Sequence, residues 1–217
     1  MTALRFPLVC FDLDGTLVDD TIYIWKTLHE AFETDEPARR KAYDDFFGGI
    51  ISYRDWFEHD LKLLRLAGAT KKRVEELLRT LRPMEGAKEA IATLKARGHK
   101  VAIISGSLDI VVDHLFGQHL FDHVLINKLH YSPDGQIDGG EPTPYDLVGK
   151  AEGLRELARR EGLSPDQVAF VGDNENDIWI AQAAGRAIAF NCKSDKLREL
   201  CHVEIKTKDL RLVLEHL

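Results

Sequence analysis

The stretch Pro7-Leu8-Val9-Cys10-Phe11-Asp12-Leu13-Asp14-Gly15 limits what this chain can become more than any other part of it. A short, continuously apolar run closed by a glycine turn reads as a buried strand. Residues two apart on a strand share a face. Asp12 and Asp14 therefore point the same way at the strand's carboxyl end, where open parallel sheets bind their ligands. Two unit charges 4 Å apart repel by about 4 kcal/mol at an effective dielectric near 20. A fold keeps such a pair when a cation or a shared proton relieves it. Taken alone, an Asp-x-Asp is equally compatible with two solvated aspartates at a strand end, so the rest of the chain has to decide.

With 217 residues the chain makes one large domain or a domain carrying an insertion. A formal charge of −7 and the lack of any Lys/Arg block argue against a nucleic-acid surface. No apolar run approaches the roughly 20 residues of a membrane span. The first residues show no basic start, apolar core or cleavage site, so no signal peptide is expected. Cys10, Cys192 and Cys201 are odd in number and form no Cys-x-x-Cys pair. They read as reduced, mostly buried thiols, and the expected location is cytoplasmic.

Residues 19–82 read as helical throughout. Ile22, Trp25, Leu28, His29 and Phe32 follow helical spacing; Trp56, Leu61, Leu64 and Leu66 mark a second helix closed by Gly68; Val74, Leu77, Leu78 and Leu81 mark a third that stops before Pro83. Trp25, Phe46, Trp56 and Phe57 are expected to form the core of this segment in preference to a substrate cage, with room for some of them to line its mouth. The pattern then alternates between helix and strand, the mark of a parallel sheet covered by helices. Strands are expected at Lys100–Ile104, near His123–Asn127, at Val168–Val171 and at Ala187–Phe190, with a small hairpin around the Pro133-Asp134-Gly135 and Gly139-Gly140 turn signals. Helices are expected over Gly86–Arg97, from Ser107 to about Phe116, over Tyr145–Glu161, up to Ala184 and over Lys208–His216. The fold class is α/β, with a Rossmann-like three-layer core (1–18 and 83–217) and a helical unit (19–82) inserted after the first strand.

Three strands of this core end in polar residues: Asp12 and Asp14, Ser105, and Asp173 with Asp177 nearby. Parallel strands bring those ends to one crevice, and Lys150 lies early in the helix before the last of them. Four aspartates facing one space do not all stay ionised unaided. A hard divalent cation such as Mg²⁺ takes carboxylates, waters and a phosphate oxygen. Lys150 and backbone N–H groups at a helix opening near Ser105 suit an anion. The site is rich in acid yet equipped for a dianion.

These residues resemble the motifs of the haloacid dehalogenase-like phosphatases, and among them the phosphoserine phosphatase group. Asp12 to Val18 matches the first motif, Val101-Ala102-Ile103-Ile104-Ser105-Gly106 the second, Lys150 the third, and Gly172-Asp173-Asn174-Glu175-Asn176-Asp177 the fourth. The resemblance covers about residues 6–18 and 84–217 and weakens in between. It implies a Mg²⁺-dependent phosphomonoesterase acting on a small phosphorylated metabolite. Asp12 would be the nucleophile of an aspartyl-phosphate intermediate and Asp14 the acid and base. Ser105, Gly106 and Lys150 would hold the phosphate. Asp12, the main-chain carbonyl of Asp14, and Asp173 would hold the metal, with Asn176 and Asp177 in support. Dehalogenating relatives lack an acid matching Asp14, because a halide leaves without a proton. A phosphotransferase or mutase would share all four motifs.

The inserted helices resemble the cap that selects the leaving group in this family. Phosphoserine phosphatases place a glutamate nine residues beyond the nucleophile to meet the substrate ammonium. Thr21 stands there in this chain, and a one-residue loop shift would let Asp20 substitute. For the arginine that meets the substrate carboxylate, Arg54 and Arg65 are both candidates. Phosphoserine and another small phosphomonoester stay level as substrates. The assembly expected is a monomer or homodimer.

Overall fold

The computed structural model describes residues 4–19, 21 and 23–217. The expectations placed on Asp20 and Ile22 lie outside the described residues. The chain enters at β1 (Leu8–Phe11), turns back through β2 (Val18–Asp19), and runs through α1 (Ile24–Ala31), α2 (Glu36–Phe47), α3 (Tyr53–Leu66) and α4 (Lys71–Leu78). It returns at β3 (Arg82–Pro83) and continues as α5 (Ala87–Ala96), β4 (Lys100–Leu108), α6 (Asp109–Leu115), β5 (His123–Tyr131), β6 (Ile137–Glu141) and α7 (Gly149–Arg160). The last part holds β7 (Val168–Gly172), α8 (Ile178–Ala183), β8 (Arg186–Phe190), α9 (Asp195–Leu200) and β9 (Val203–Ile205).

The strands assemble in the order β6-β5-β4-β1-β7-β8-β9, parallel except for the antiparallel β5–β6 pair. β1 is the central strand, and its alternating side chains build both faces of the core. Val9 and Phe11 join Val101, Ile103, Ala169 and Val171 beneath α5 and α6. Leu8 and Cys10 join Ala102, Ile104, Val168 and Phe170 beneath α7 and α8. Because both faces are covered, these strands read as continuous apolar runs. Phe11 pairs with Ile103 on one side and Val171 on the other. The residues that follow on each strand therefore come out together at the same sheet edge.

The four helices α1–α4 leave and re-enter the sheet through the two-residue β2–β3 ladder, Val18 opposite Pro83 and Asp19 opposite Arg82. This ladder joins the two ends of the region expected to be helical throughout, taking in only its first and last residues, Asp19 and Arg82. Leu28, Phe57, Leu61, Leu64, Val74 and Leu78 continue the core on the Val9 face. α3 opens on a capping box between Ser52 and Asp55. Asp35 caps α2 by accepting the amide of Ala38.

Three boundaries differ from expectation. β4 does not end at Ser105 but carries Ser105-Gly106-Ser107 within it, and α6 starts only at Asp109. Ser105 therefore stands on a strand, and its hydroxyl accepts the Ser107 amide at 3.2 Å. α7 starts at Gly149 and not at Tyr145, because Leu147 adopts a left-handed conformation (φ 48°) that breaks any helix through 145–148. The chain ends in a 3₁₀ segment, Leu210–Glu215, where an α-helix was expected.

Candidate active site

Asp12 follows directly on β1, Asp173 on β7, and Lys150 is the second residue of α7. Lys150 is fully buried, with Nζ 2.8 Å from Asp12 Oδ1 and 2.7 Å from Asp177 Oδ1. Burial alone would lower its pKa. The carboxylates of Asp12, Asp177 and Asp146 more than reverse that and hold the ammonium above the ordinary lysine value. The second oxygen of Asp177 accepts the amides of Asp173 (3.0 Å) and Asn174 (3.3 Å), which folds the Gly172–Asp177 loop around it.

Asp14 is held differently. Its Oδ2 accepts the amide of Ile24 at 2.7 Å and its Oδ1 accepts the hydroxyl of Ser107 at 3.0 Å. Burial, and then the charge of Asp12, push its pKa up to about 7 against those hydrogen bonds. A carboxyl group so placed exchanges a proton near neutrality. Gly15 turns the chain beneath it with φ +76°, and a Cβ there would lie 2.2 Å from Asp173 Oδ2. Both the conformation and the close approach call for glycine.

Gly106 lies under a second constraint. A Cβ on it would fall 2.1 Å from Asp146 Oδ2. Its carbonyl accepts Trp25 Nε1 at 3.0 Å and Asn127 Nδ2 at 2.7 Å. Asp146 in turn accepts the Tyr53 hydroxyl at 3.1 Å, and burial raises its pKa. Ser107, Asn127 and Asp146 were not singled out from sequence. Ser107 repeats the hydroxyl two residues beyond Ser105, on the same face of the strand, and that was the available signal.

Asp12, Asp14, Ser105, Gly106, Asp173 and Asn176 open onto one cavity of about 400 Å³. Its far wall comes from α1–α3 and includes Trp25, Arg39, Tyr53, Trp56, Phe57 and Asp60. Trp25, Trp56 and Phe57 therefore face the cavity, and Phe46 stacks behind Trp56 with ring centroids 4.7 Å apart. Arg54 and Arg65 are exposed and lie outside the cavity wall. At roughly 100° per helical residue, Tyr53, Trp56, Phe57 and Asp60 share one face of α3, and both arginines fall well off it. Thr21 is buried away from the wall, its hydroxyl donating to the carbonyl of Asp19 at 3.4 Å. Sequence alone marks neither Arg39 nor Asp60: α2 carries no apolar stripe, and the stripe of α3 is defined by its apolar residues.

The acids suit a hard cation. Asp12, Asp173 and Asp177 each offer a buried carboxylate oxygen, all within 4.8 Å of one another. Burial and then the charges of Asp12 and Asp177 push the Asp173 pKa up to about 8, even with Lys193 Nζ 2.5 Å from its Oδ2. Among the described residues no histidine or cysteine joins this group. Buried oxygen donors without nitrogen or sulfur, repelling one another, fit Mg²⁺.

Comparison with known proteins places the chain. The family model for haloacid dehalogenase-like hydrolases matches residues 6–185. The chain is 32% identical over 211 residues to a phosphoserine phosphatase of Methanocaldococcus jannaschii, covering 97% of each. It is 33% identical over 204 residues to a phosphoserine phosphatase of Archaeoglobus fulgidus, covering 94% of this chain and only 57% of that relative. A solved phosphoserine phosphatase carrying a phospho-aspartyl intermediate analogue superposes with a TM-score of 0.76 at 29% identity, over 98% of this chain and 99% of that one. Four ordered motifs, their meeting at one sheet edge and these likenesses lead to one conclusion: the chain belongs to the haloacid dehalogenase-like hydrolases.

Proposed function

We propose that this protein is a Mg²⁺-dependent phosphomonoesterase that works through an aspartyl-phosphate on Asp12. The observation that carries the reading is the unequal pair that follows β1. Asp12 is ion-paired to Lys150, while Asp14 sits where a carboxyl takes up and gives back a proton near neutrality. One acid is thereby fit to attack and the other to transfer protons.

In the first step a carboxylate oxygen of Asp12 attacks phosphorus and the phosphorus–oxygen bond to the alcohol breaks. The leaving oxygen takes the proton of Asp14. In the second step Asp14 takes a proton from water, whose oxygen attacks phosphorus, releases inorganic phosphate and restores Asp12. Lys150, the Ser105 hydroxyl and the backbone at Gly106 balance the charge on the phosphoryl oxygens. Magnesium held by Asp12, the Asp14 carbonyl and Asp173, with Asp177 and Asn176 beside it, would supply further positive charge at the phosphoryl group. The helices of residues 19–82 act as the cap, shielding the phosphoryl group from bulk water.

Phosphoserine is the ester that the relatives' names put first for assay. The decisive test is Asp12→Asn assayed with Mg²⁺ on p-nitrophenyl phosphate, with hydroxylamine trapping of the acyl phosphate in the wild type. Loss of turnover and of the trapped adduct in the variant supports the reading. Metal-dependent turnover by Asp12→Asn rejects it. Release of free phosphate, as opposed to its transfer to a second metabolite, separates a hydrolase from a phosphotransferase.

A further inference from the structure

We propose that the protein hydrolyses the phosphate esters of apolar alcohols, and that Tyr43, Phe47 and Trp56 together with Trp179 bind the apolar part of the ester. The inference rests on the phosphomonoesterase reading and concerns only the leaving group. The chemistry is that of Asp12 and Asp14 above: water enters, and the free alcohol and inorganic phosphate leave.

A surface helix ordinarily turns its apolar stripe to the core. α2 does not, and Ala42 is its one buried residue. Tyr43 and Phe47, four residues apart and so on one face of α2, are 42% and 55% exposed. Both line the cavity that holds Asp12 and Asp14. Their ring centroids lie 4.5 Å apart, and they meet Trp56 of α3 at 5.9 and 6.0 Å. Trp179, the second residue of α8, lines the same cavity from the sheet side of the molecule and is 41% exposed. Asp12, Asp14, Ser105 and Asp173 are buried. The acids therefore form the floor of the cavity and these rings its mouth.

Contiguous rings left partly in water at the opening of a cavity mark a surface that a ligand covers. Each offers a large apolar area to that ligand. An acidic leaving group finds less there. Among the described residues that line the cavity there is no lysine, and the one guanidinium, Arg39, is occupied by the Tyr23 hydroxyl (2.6 Å) and by Glu36 (3.2 Å). The Lys150 ammonium is held at the floor by Asp12 and Asp177. A cavity of about 400 Å³ falls in the range of pockets that enclose drug-sized ligands, which leaves room beyond the phosphate for a bulky alcohol. An apolar group bound away from the reacting atoms strengthens ground state and transition state alike, so its effect falls on KM.

The test measures phosphate release by the Mg²⁺-loaded protein from ethyl, propyl, butyl and hexyl phosphate. Their leaving alcohols differ in apolar area and hardly at all in acidity. kcat/KM should rise about two- to fourfold with each methylene, through a falling KM. Phe47→Ser and Trp179→Ser, at exposed positions on different helices, should each lower the hexyl-to-ethyl ratio about threefold or more. A rise of less than about twofold per methylene in the wild type overturns the proposal, whatever the fate of the variants. A wild-type ratio in both variants, with their circular dichroism and melting temperature unchanged, overturns it too, because the apolar part then binds elsewhere. Turnover of p-nitrophenyl phosphate with a flat alkyl series defeats this inference alone. Absence of turnover on every ester defeats the phosphomonoesterase reading with it.

Discussion

Lys150 Nζ lies 2.8 Å from Asp12 Oδ1 with the lysine side chain wholly removed from solvent. The same nitrogen is 2.7 Å from Asp177, so one ammonium separates two buried carboxylates. Removing one member of such a group strands the remaining charges where water cannot reach them, at a cost of roughly 3–5 kcal/mol. Lys150→Met should lose about that much stability in urea denaturation without metal, and Mg²⁺ should restore part of it by entering the same acidic group. Wild-type stability in the metal-free variant would mean that the lysine does not balance these acids.

Asp14→Asn separates the two chemical steps. The nitrophenolate of p-nitrophenyl phosphate leaves without needing a proton, so attack by Asp12 survives in the variant. Hydrolysis of the intermediate still lacks its base. Rapid-quench kinetics should therefore show a burst of nitrophenol close to one per enzyme, followed by turnover slowed at least about a hundredfold. With an alkyl phosphate, whose leaving oxygen needs the proton, the burst should vanish. Equal bursts from both esters would remove Asp14 from leaving-group protonation.

How far the site could be read from sequence depended on distance along the chain. Asp12, Asp14 and Gly15 are legible because period-two alternation and a glycine turn act within a few residues. Asp173 and Asp177 were legible for the same reason, since one short loop holds both. Asp146 was not, because its role comes from meeting Gly106, and that meeting depends on Leu147 turning with φ 48° before α7 begins. α2 escaped notice because Ala42 is its only buried residue, so it has no apolar stripe to reveal it. Asp60 occupies a position on α3 that the stripe assigns to an apolar side chain. A carboxylate among Tyr53, Trp56 and Phe57 was the available clue.

Ser107 offers a test of how the Asp14 proton is set. Its hydroxyl donates to Asp14 Oδ1 at 3.0 Å and so favours the ionised form, working against the burial that lifts the pKa to about 7. Without that hydroxyl the pKa rises further. The first chemical step needs Asp14 protonated, so its rate falls as pH climbs through that pKa. In Ser107→Ala this alkaline limb should move upward by about one pH unit, since a hydrogen bond to a charged group is worth roughly 1.5–3 kcal/mol and one unit about 1.4 kcal/mol. Single-turnover rates on an alkyl phosphate between pH values of about 5 and 9 around this limb would show it. A limb that stays put or moves down would contradict the hydrogen-bond assignment.

Gly106 and Asp146 make a paired prediction. A methyl group on Gly106 would overlap the Asp146 carboxylate, with its Cβ 2.1 Å from Oδ2. The carboxylate has little room to yield, because its oxygens are held by the Tyr53 hydroxyl at 3.1 Å and the Leu147 amide at 2.7 Å. Gly106→Ala should therefore cost about 1–3 kcal/mol of stability, the usual range for overpacking, and weaken phosphate binding by moving the Ser105–Ser107 backbone. Asp146→Ala in the same chain removes the obstacle. The double variant should recover most of the stability lost to Gly106→Ala when each is referred to its own Gly106 parent in a double-mutant cycle. Strict additivity of the two substitutions in that cycle would show that the carboxylate is not what confines residue 106 to glycine.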